Sequence, residues 1–132
     1  MYFVILNLKK LLKETKNIAI IGASSNPERD SFKVMKFLMD YGYEIFPVNP
    51  KENNILGRRC YANLKEIEER IDMVDIFRAK EFILAITNEA IEINANIIWI
   101  QEGIVDENAA SLAKKSGLKV VMDKCPKKIL ES

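Results

Sequence analysis

The stretch Ile18-Ala19-Ile20-Ile21-Gly22-Ala23-Ser24-Ser25-Asn26 runs from four apolar residues into a loop of small and polar ones. An unbroken apolar run of this kind is typical of a strand buried on both faces, as in a parallel sheet. Asn17 precedes it, and before that Asn7 to Lys16 reads as a short helix, with Leu8, Leu11 and Leu12 on one face. After the loop, Ser31 to Tyr41 has helical spacing, with Val34, Leu38 and Tyr41 as its inward stripe and Gly42 as a left-handed stop.

The same alternation continues. Glu44-Ile45-Phe46-Pro47-Val48 is a second strand, stopped by Asn49-Pro50. A looser stretch with Gly57 and a short helix from Asn63 to Glu69 lead to a third strand, Met73 to Phe77. Lys80 to Ala95 reads as a helix with Phe82, Ile86, Ala90 and Ile93 inward. Ile97 to Ile100 is a fourth strand. Asp106 is placed to cap a further helix that ends at Gly117, and Leu118 to Met122 is a fifth strand.

Strand starts are spaced by about 21 to 29 residues, the length of a strand plus its crossover. This predicts a single α/β domain over residues 1–132, with residues 1–16 as a helical extension. The expected fold is a doubly wound, Rossmann-like, five-stranded parallel sheet of order 3-2-1-4-5, with helices on both faces. In that order the ligand crevice lies between the carboxyl ends of strands one and four. Two loops then become the prime site: Gly22, Ala23, Ser24, Ser25 and Asn26, and Gln101, Glu102 and Gly103.

The first loop leads into a helix, so its amides and the helix dipole favour an anion. Gly22 allows close approach, and Ser24, Ser25 and Asn26 add donors. The loop reads as a phosphate site in preference to an ordinary turn. The dinucleotide pattern G-x-G-x-x-G fails, because Ser24 and Pro27 hold its second and third glycine positions. Its acidic ribose reader is also missing after strand two, where Val48-Asn49-Pro50 stands. Phosphate binding survives this test and the usual NAD mode does not.

Lys51, Arg58 and Arg59 form a basic cluster after strand two, opposed by Glu52; they either meet a further phosphate or lie in a solvated loop. Arg78, just after strand three, either binds phosphate or pairs with a surface acid. Asp75, inside an apolar strand, implies an edge position or a hydrogen-bonded partner. Trp99 and Tyr61 are open to stacking on an adenine ring, though Trp99 reads rather as core, and Cys60 and Cys125 read as inert thiols in preference to activated ones.

Composition narrows the chemistry. Of 132 residues, 48% are hydrophobic and 30% charged, as in a globular protein. With 20 Lys+Arg against 19 Asp+Glu the net charge is +1, which argues against non-specific binding to nucleic acid or membrane. There is no histidine, so imidazole triads and imidazole metal sites are excluded. Two distant cysteines make neither a zinc site nor a disulfide framework. The apolar opening Met1 to Leu6 is too short for a signal-peptide core. A cytoplasmic protein with reduced thiols is expected.

The segments Ile20 to Pro27, Gly42 to Pro50, Ile55-Leu56-Gly57 with Cys60-Tyr61, Val74 to Arg78, Trp99 to Ile104 and Gly117 to Pro126 together form an ordered pattern. It resembles the small stand-alone CoA-binding proteins, which are similar to the CoA-binding domain of the succinyl-CoA synthetase alpha subunit. The resemblance implies a Rossmann-like fold holding coenzyme A, with phosphates on Gly22 to Asn26. It also implies roles for Pro50 and Lys51 after strand two, for Arg78, and for Ile100, Gln101 and Glu102. Glu102 departs from the apolar residue usual in the stand-alone proteins and matches the synthetase domain. The synthetase works through a phosphohistidine, which a chain without histidine lacks.

The leading expectation is a coenzyme A or acyl-CoA binding protein without catalysis of its own, compatible with a homodimer. A CoA-thioester or nucleotide-dependent enzyme, and a nucleotide-sensing protein acting through a partner, are the alternatives.

Overall fold

The computed structural model describes residues 2–132, with side chains from Asn7 onward. Met1 and the side chains of most of the apolar opening segment therefore lie outside the described residues. Helix α1 spans Tyr2–Lys13, starting earlier and stopping sooner than its leucine spacing predicts. Strand β1 is Asn17–Ile21, helix α2 is Asp30–Tyr41 and strand β2 is Glu44–Val48. Gly42 ends α2 at φ 118°, as its position predicts.

Between the second and third expected strands the chain makes no α-helix. It forms a small antiparallel hairpin, β3 Asn54–Ile55 with β4 Arg58–Arg59, and then a 3-10 turn, Leu64–Glu66. The expected helix from Asn63 to Glu69 shrinks to this turn. The Asn63 carboxamide caps it by accepting from the Glu66 amide at 3.2 Å, and Ile67 is already extended. Strand β5 is Met73–Ile76, followed by helix α3, Lys80–Glu92. Strand β6 is Ile97–Gln101, helix α4 is Glu107–Lys115 and strand β7 is Lys119–Lys124. Asp106 caps α4, accepting from the Ala109 amide at 3.0 Å. A last helix, α5, covers Pro126–Glu131. Its six residues give too short a period to read, and Pro126 in its first turn is the one local signal.

The five main strands are all parallel, as expected, but their order is β2-β1-β5-β6-β7. In the numbering of the five expected strands this is 2-1-3-4-5, so the expected 3-2-1-4-5 is corrected. The third strand pairs with the free side of the first, Ile20 opposite Asp75, and not with the second.

The outer edge of β2 explains why. Tyr61 occupies it: its amide donates to the Pro47 carbonyl at 2.9 Å, and its carbonyl accepts from the Asn49 amide at 2.8 Å. The N and O of one strand residue point the same way, so the side where Pro47 lacks an N–H is also this outer edge. A proline is tolerated in a sheet where no ladder donor is needed, which is on an edge strand. Pro47 thus suits β2 as an edge strand, which is where the sheet places it.

Helices α1, α2 and α5 cover one face, over a core that includes Leu12, Ile20, Met35, Trp99 and Ile129. Helices α3 and α4 and the 3-10 turn cover the other, over Ala19, Ile21, Val74, Ile86 and Ala113. Trp99 is fully buried, and its indole N–H donates to the Lys124 carbonyl at 2.9 Å. Two residues of the expected inward stripes face water instead. Tyr41, 52% exposed, ends α2 beyond the sheet and stacks on Tyr43. Phe82, 42% exposed, lies in the first turn of α3, past the strand ends. Asp75 is corrected as well: it sits in the central strand, fully buried, and neither carboxyl oxygen has a hydrogen-bond partner among the described residues.

Candidate functional site

The order of the sheet moves the switch point. Chain connections leave β1 toward β2 on one side and return to β5 on the other, so the crevice opens between strands one and three. Strands one and four are not neighbours, because β5 separates them.

Gly22 sits at this junction with φ 84°. Its amide donates to the Val48 carbonyl at 3.0 Å, which ties the loop to β2. On the other side the Phe77 amide donates to the Ile21 carbonyl at 2.8 Å. A Cβ at Gly22 would lie 2.3 Å from the Phe77 carbonyl oxygen, so only glycine fits. Asn49 braces the same point: its carboxamide donates to the Ala23 carbonyl at 2.8 Å and accepts from the Lys51 amide at 2.9 Å.

The loop then folds on its own polar groups. Ser24 Oγ accepts from the Asn26 amide, and Asn26 Oδ1 from the Glu28 amide, both at 3.0 Å. These side chains shape the turn. The Ser25 amide is not used within the turn and donates to Glu52 Oε2 at 2.8 Å. A carboxylate of the chain itself therefore sits where the loop attracts an anion. The N-terminus of α2 follows at Arg29, whose side chain makes no capping bond. The first-turn amides of α2 thus add to the positive end of the crevice.

A cleft of about 860 Å³ opens over these strand ends, near the top of the range of roughly 300–1,000 Å³ usual for small-molecule sites. Of the residues expected at the site, Gly22, Ala23, Ser24, Pro50, Lys51, Arg78, Gln101 and Glu102 line it. Ser25 and Asn26 stand on the loop beside it, and Ile100 is buried in the core. Sequence reasoning missed the α2 start (Arg29, Asp30 and Ser31) and an apolar wall formed by Leu64, Ile86 and Ile104. Leu64 reaches the cleft from the 3-10 turn, Ile86 from α3 and Ile104 from the loop after β6.

The basic cluster does not assemble. Lys51 lines the cleft, but Arg58 pairs with Glu44 at 3.0 Å and donates to the Ile45 carbonyl at 3.2 Å. Arg59 lies over the Tyr61 ring, 4.6 Å from its centroid. Arg78 does reach the cleft, with its guanidinium 4.1 Å from the Phe82 ring centroid. Stacking of this kind orients the fork while leaving its donors free.

On the β6 side, Gln101 is 9% exposed, and its Oε1 has no partner among the described residues. Glu102 accepts from Lys128 of α5. The Gly103 amide donates to Asp123 Oδ1 at 2.7 Å, which fastens this loop to the end of β7. Cys60 is buried outside the cleft, and burial pushes its thiol pKa up, against nucleophilic use. Among the described residues no helix is long and apolar enough to cross a membrane.

Known proteins resemble this chain in sequence and in fold. An uncharacterized protein of Bacillus subtilis (strain 168), YneT, is 41% identical over 120 residues, which cover 91% of this chain and 89% of that one. An ADP-forming acetate–CoA ligase of Methanocaldococcus jannaschii is 26% identical over 124 residues, covering 88% of this chain but 18% of the ligase. The solved structure of a hypothetical protein from Pyrococcus horikoshii OT3 matches with a TM-score of 0.93 at 35% identity, over 96% of this chain and 89% of that chain. The family model described as a CoA binding domain matches residues 16–131, and the chain belongs to that family.

Proposed function

We propose that this protein binds coenzyme A or an acyl-CoA in the cleft at the carboxyl ends of β1, β2, β5 and β6, and that it acts by binding, without catalysis of its own. The observation that carries the reading is the Ser25 amide, which already holds a carboxylate at the switch point of a sheet belonging to the CoA binding domain family. Phosphates of the ligand meet the amides after Gly22 and at the start of α2, with Lys51 and Arg78 as cations. The apolar wall of Leu64, Ile86 and Ile104 suits the pantetheine arm. The absence of catalysis is supported by the placement of Cys60 outside the cleft with a raised thiol pKa.

Calorimetric titration with CoA and acetyl-CoA, with NAD and ATP as controls, is the test. Saturable CoA binding that NAD does not reproduce is expected. No heat and no thermal shift at millimolar CoA would overturn the reading, and turnover of an acyl-CoA by the purified chain would overturn its non-catalytic part.

A further inference from the structure

The cleft has an electrostatic difficulty for a ligand with several phosphates. Its lining cations are Arg29, Lys51 and Arg78, and its lining acids are Glu28, Asp30, Glu89 and Glu102. Among the lining residues alone, acids outnumber cations. Glu102 follows directly on β6 and lines the same cleft as the Gly22 loop and the start of α2, where the phosphates are expected.

Helix α5 supplies what the lining lacks. It packs through buried Pro126 and Ile129 against the α1 and α2 side of the sheet. From there Lys128 reaches both oxygens of Glu102, Oε1 at 2.7 Å and Oε2 at 2.9 Å. A contact to both oxygens restrains the carboxylate as well as neutralising it. Lys128 thus pairs with one of the four acids that line the cleft.

We infer that Lys128 is a positioning residue of the binding site: it neutralises Glu102 and holds it off the ligand phosphates, so that α5 belongs to the site. This rests on the CoA reading above for the identity of the ligand, but only on an anionic ligand for its mechanism. Both partners are more than half exposed, so the effect is modest and screened by salt.

The test compares wild type with Lys128→Ala, Lys128→Glu, Lys128→Arg and the double variant Glu102→Gln/Lys128→Ala. Each is titrated at low salt with CoA, with inorganic pyrophosphate and with pantetheine, which lacks the phosphates. Lys128→Ala should weaken CoA binding by about two- to fivefold, and Lys128→Glu by more. Lys128→Arg should retain affinity, the double variant should recover it, and pantetheine binding should not respond. A direct lysine–phosphate contact would leave the double variant as weak as Lys128→Ala, and that result overturns the proposal, as does an unchanged affinity in Lys128→Ala. Wild type that binds pyrophosphate but not CoA removes the CoA reading, and Lys128 is then judged on pyrophosphate. Binding of neither removes both.

Discussion

Gly22 and Arg78 meet where the first and third strands lie side by side. A methyl group on Gly22 would come within 3.1 Å of Arg78 Cδ, and within 2.3 Å of the carbonyl oxygen of the preceding Phe77. The loop expected to hold phosphate and the cation expected to meet it are thereby locked to one backbone junction. Gly22→Ala should therefore destabilise the fold by about 2 kcal/mol or more, as backbone strain and collision add, and should abolish ligand binding. Gly57→Ala is the control, since Gly57 also has positive φ, 79°, but open space around it. It should cost only about 1 kcal/mol. Equal losses in urea unfolding would contradict the close-packing account.

The divided basic cluster gives a second contrast. Lys51 lines the cleft, whereas Arg58 is engaged with Glu44 and Arg59 with Tyr61. Lys51→Ala should weaken CoA binding by roughly tenfold, the scale of one charge-assisted phosphate contact. Arg58→Ala and Arg59→Ala should leave it within about twofold, as expected for screened charges off the site. Isothermal titration of the three variants decides this, and a large loss in Arg58→Ala would move the phosphates to the outer edge of β2.

In the proposed binding mode Glu52, which accepts from the Ser25 amide, is a competitor of the ligand phosphates. Replacing the charge while keeping an acceptor, as in Glu52→Gln, should tighten CoA binding by about two- to fivefold, the value of removing one like charge at an anion site. If Glu52 instead braces the loop for binding, Glu52→Gln will bind more weakly. The same titration reads either result.

Asp75 makes stability depend on pH. Burial in the central strand, with no partner among the described residues, raises its pKa well above the usual carboxylate range. Between the unfolded value and the raised folded value, the folded protein keeps a proton that the unfolded chain has released. Stability is thus fully present below the unfolded value, falls as pH rises through this window, and levels off above the folded value. Asp75→Asn should flatten that slope and raise the urea midpoint at neutral and alkaline pH. Urea unfolding of both proteins from about pH 4 to pH 9 measures the difference; a gap that does not widen with pH would show that Asp75 is not the source.

Much of this was legible along the chain. The runs that start near Ile18, Glu44, Met73, Ile97 and Leu118 each became a strand of the parallel sheet; burial on both faces keeps the inner strands apolar, while edge strand β7 buries only Val121 and was legible from its Val120-Val121-Met122 core. Local stops were legible too: Gly42 at the end of α2 and Asp106 at the head of α4 act within one helical turn. Six-residue α5 and the hairpin of β3 and β4 were not, since neither is long enough to show a period.

The sequence by itself determined the five strands of the main sheet, the glycine at the end of the first, and the absence of histidine chemistry. Those follow from composition and from interactions within a few residues. Only the tertiary structure decided which strands are neighbours, that Asp75 lies at the centre of the sheet, that Arg58 and Arg59 turn away from the cleft, and that Lys128 reaches Glu102 across 26 residues. The reason is that strand order is set by competition for ladder hydrogen bonds between segments far apart in the chain. Here Tyr61 took the outer edge of β2, where Pro47 has no donor to give, and so the third strand was left to pair with the first.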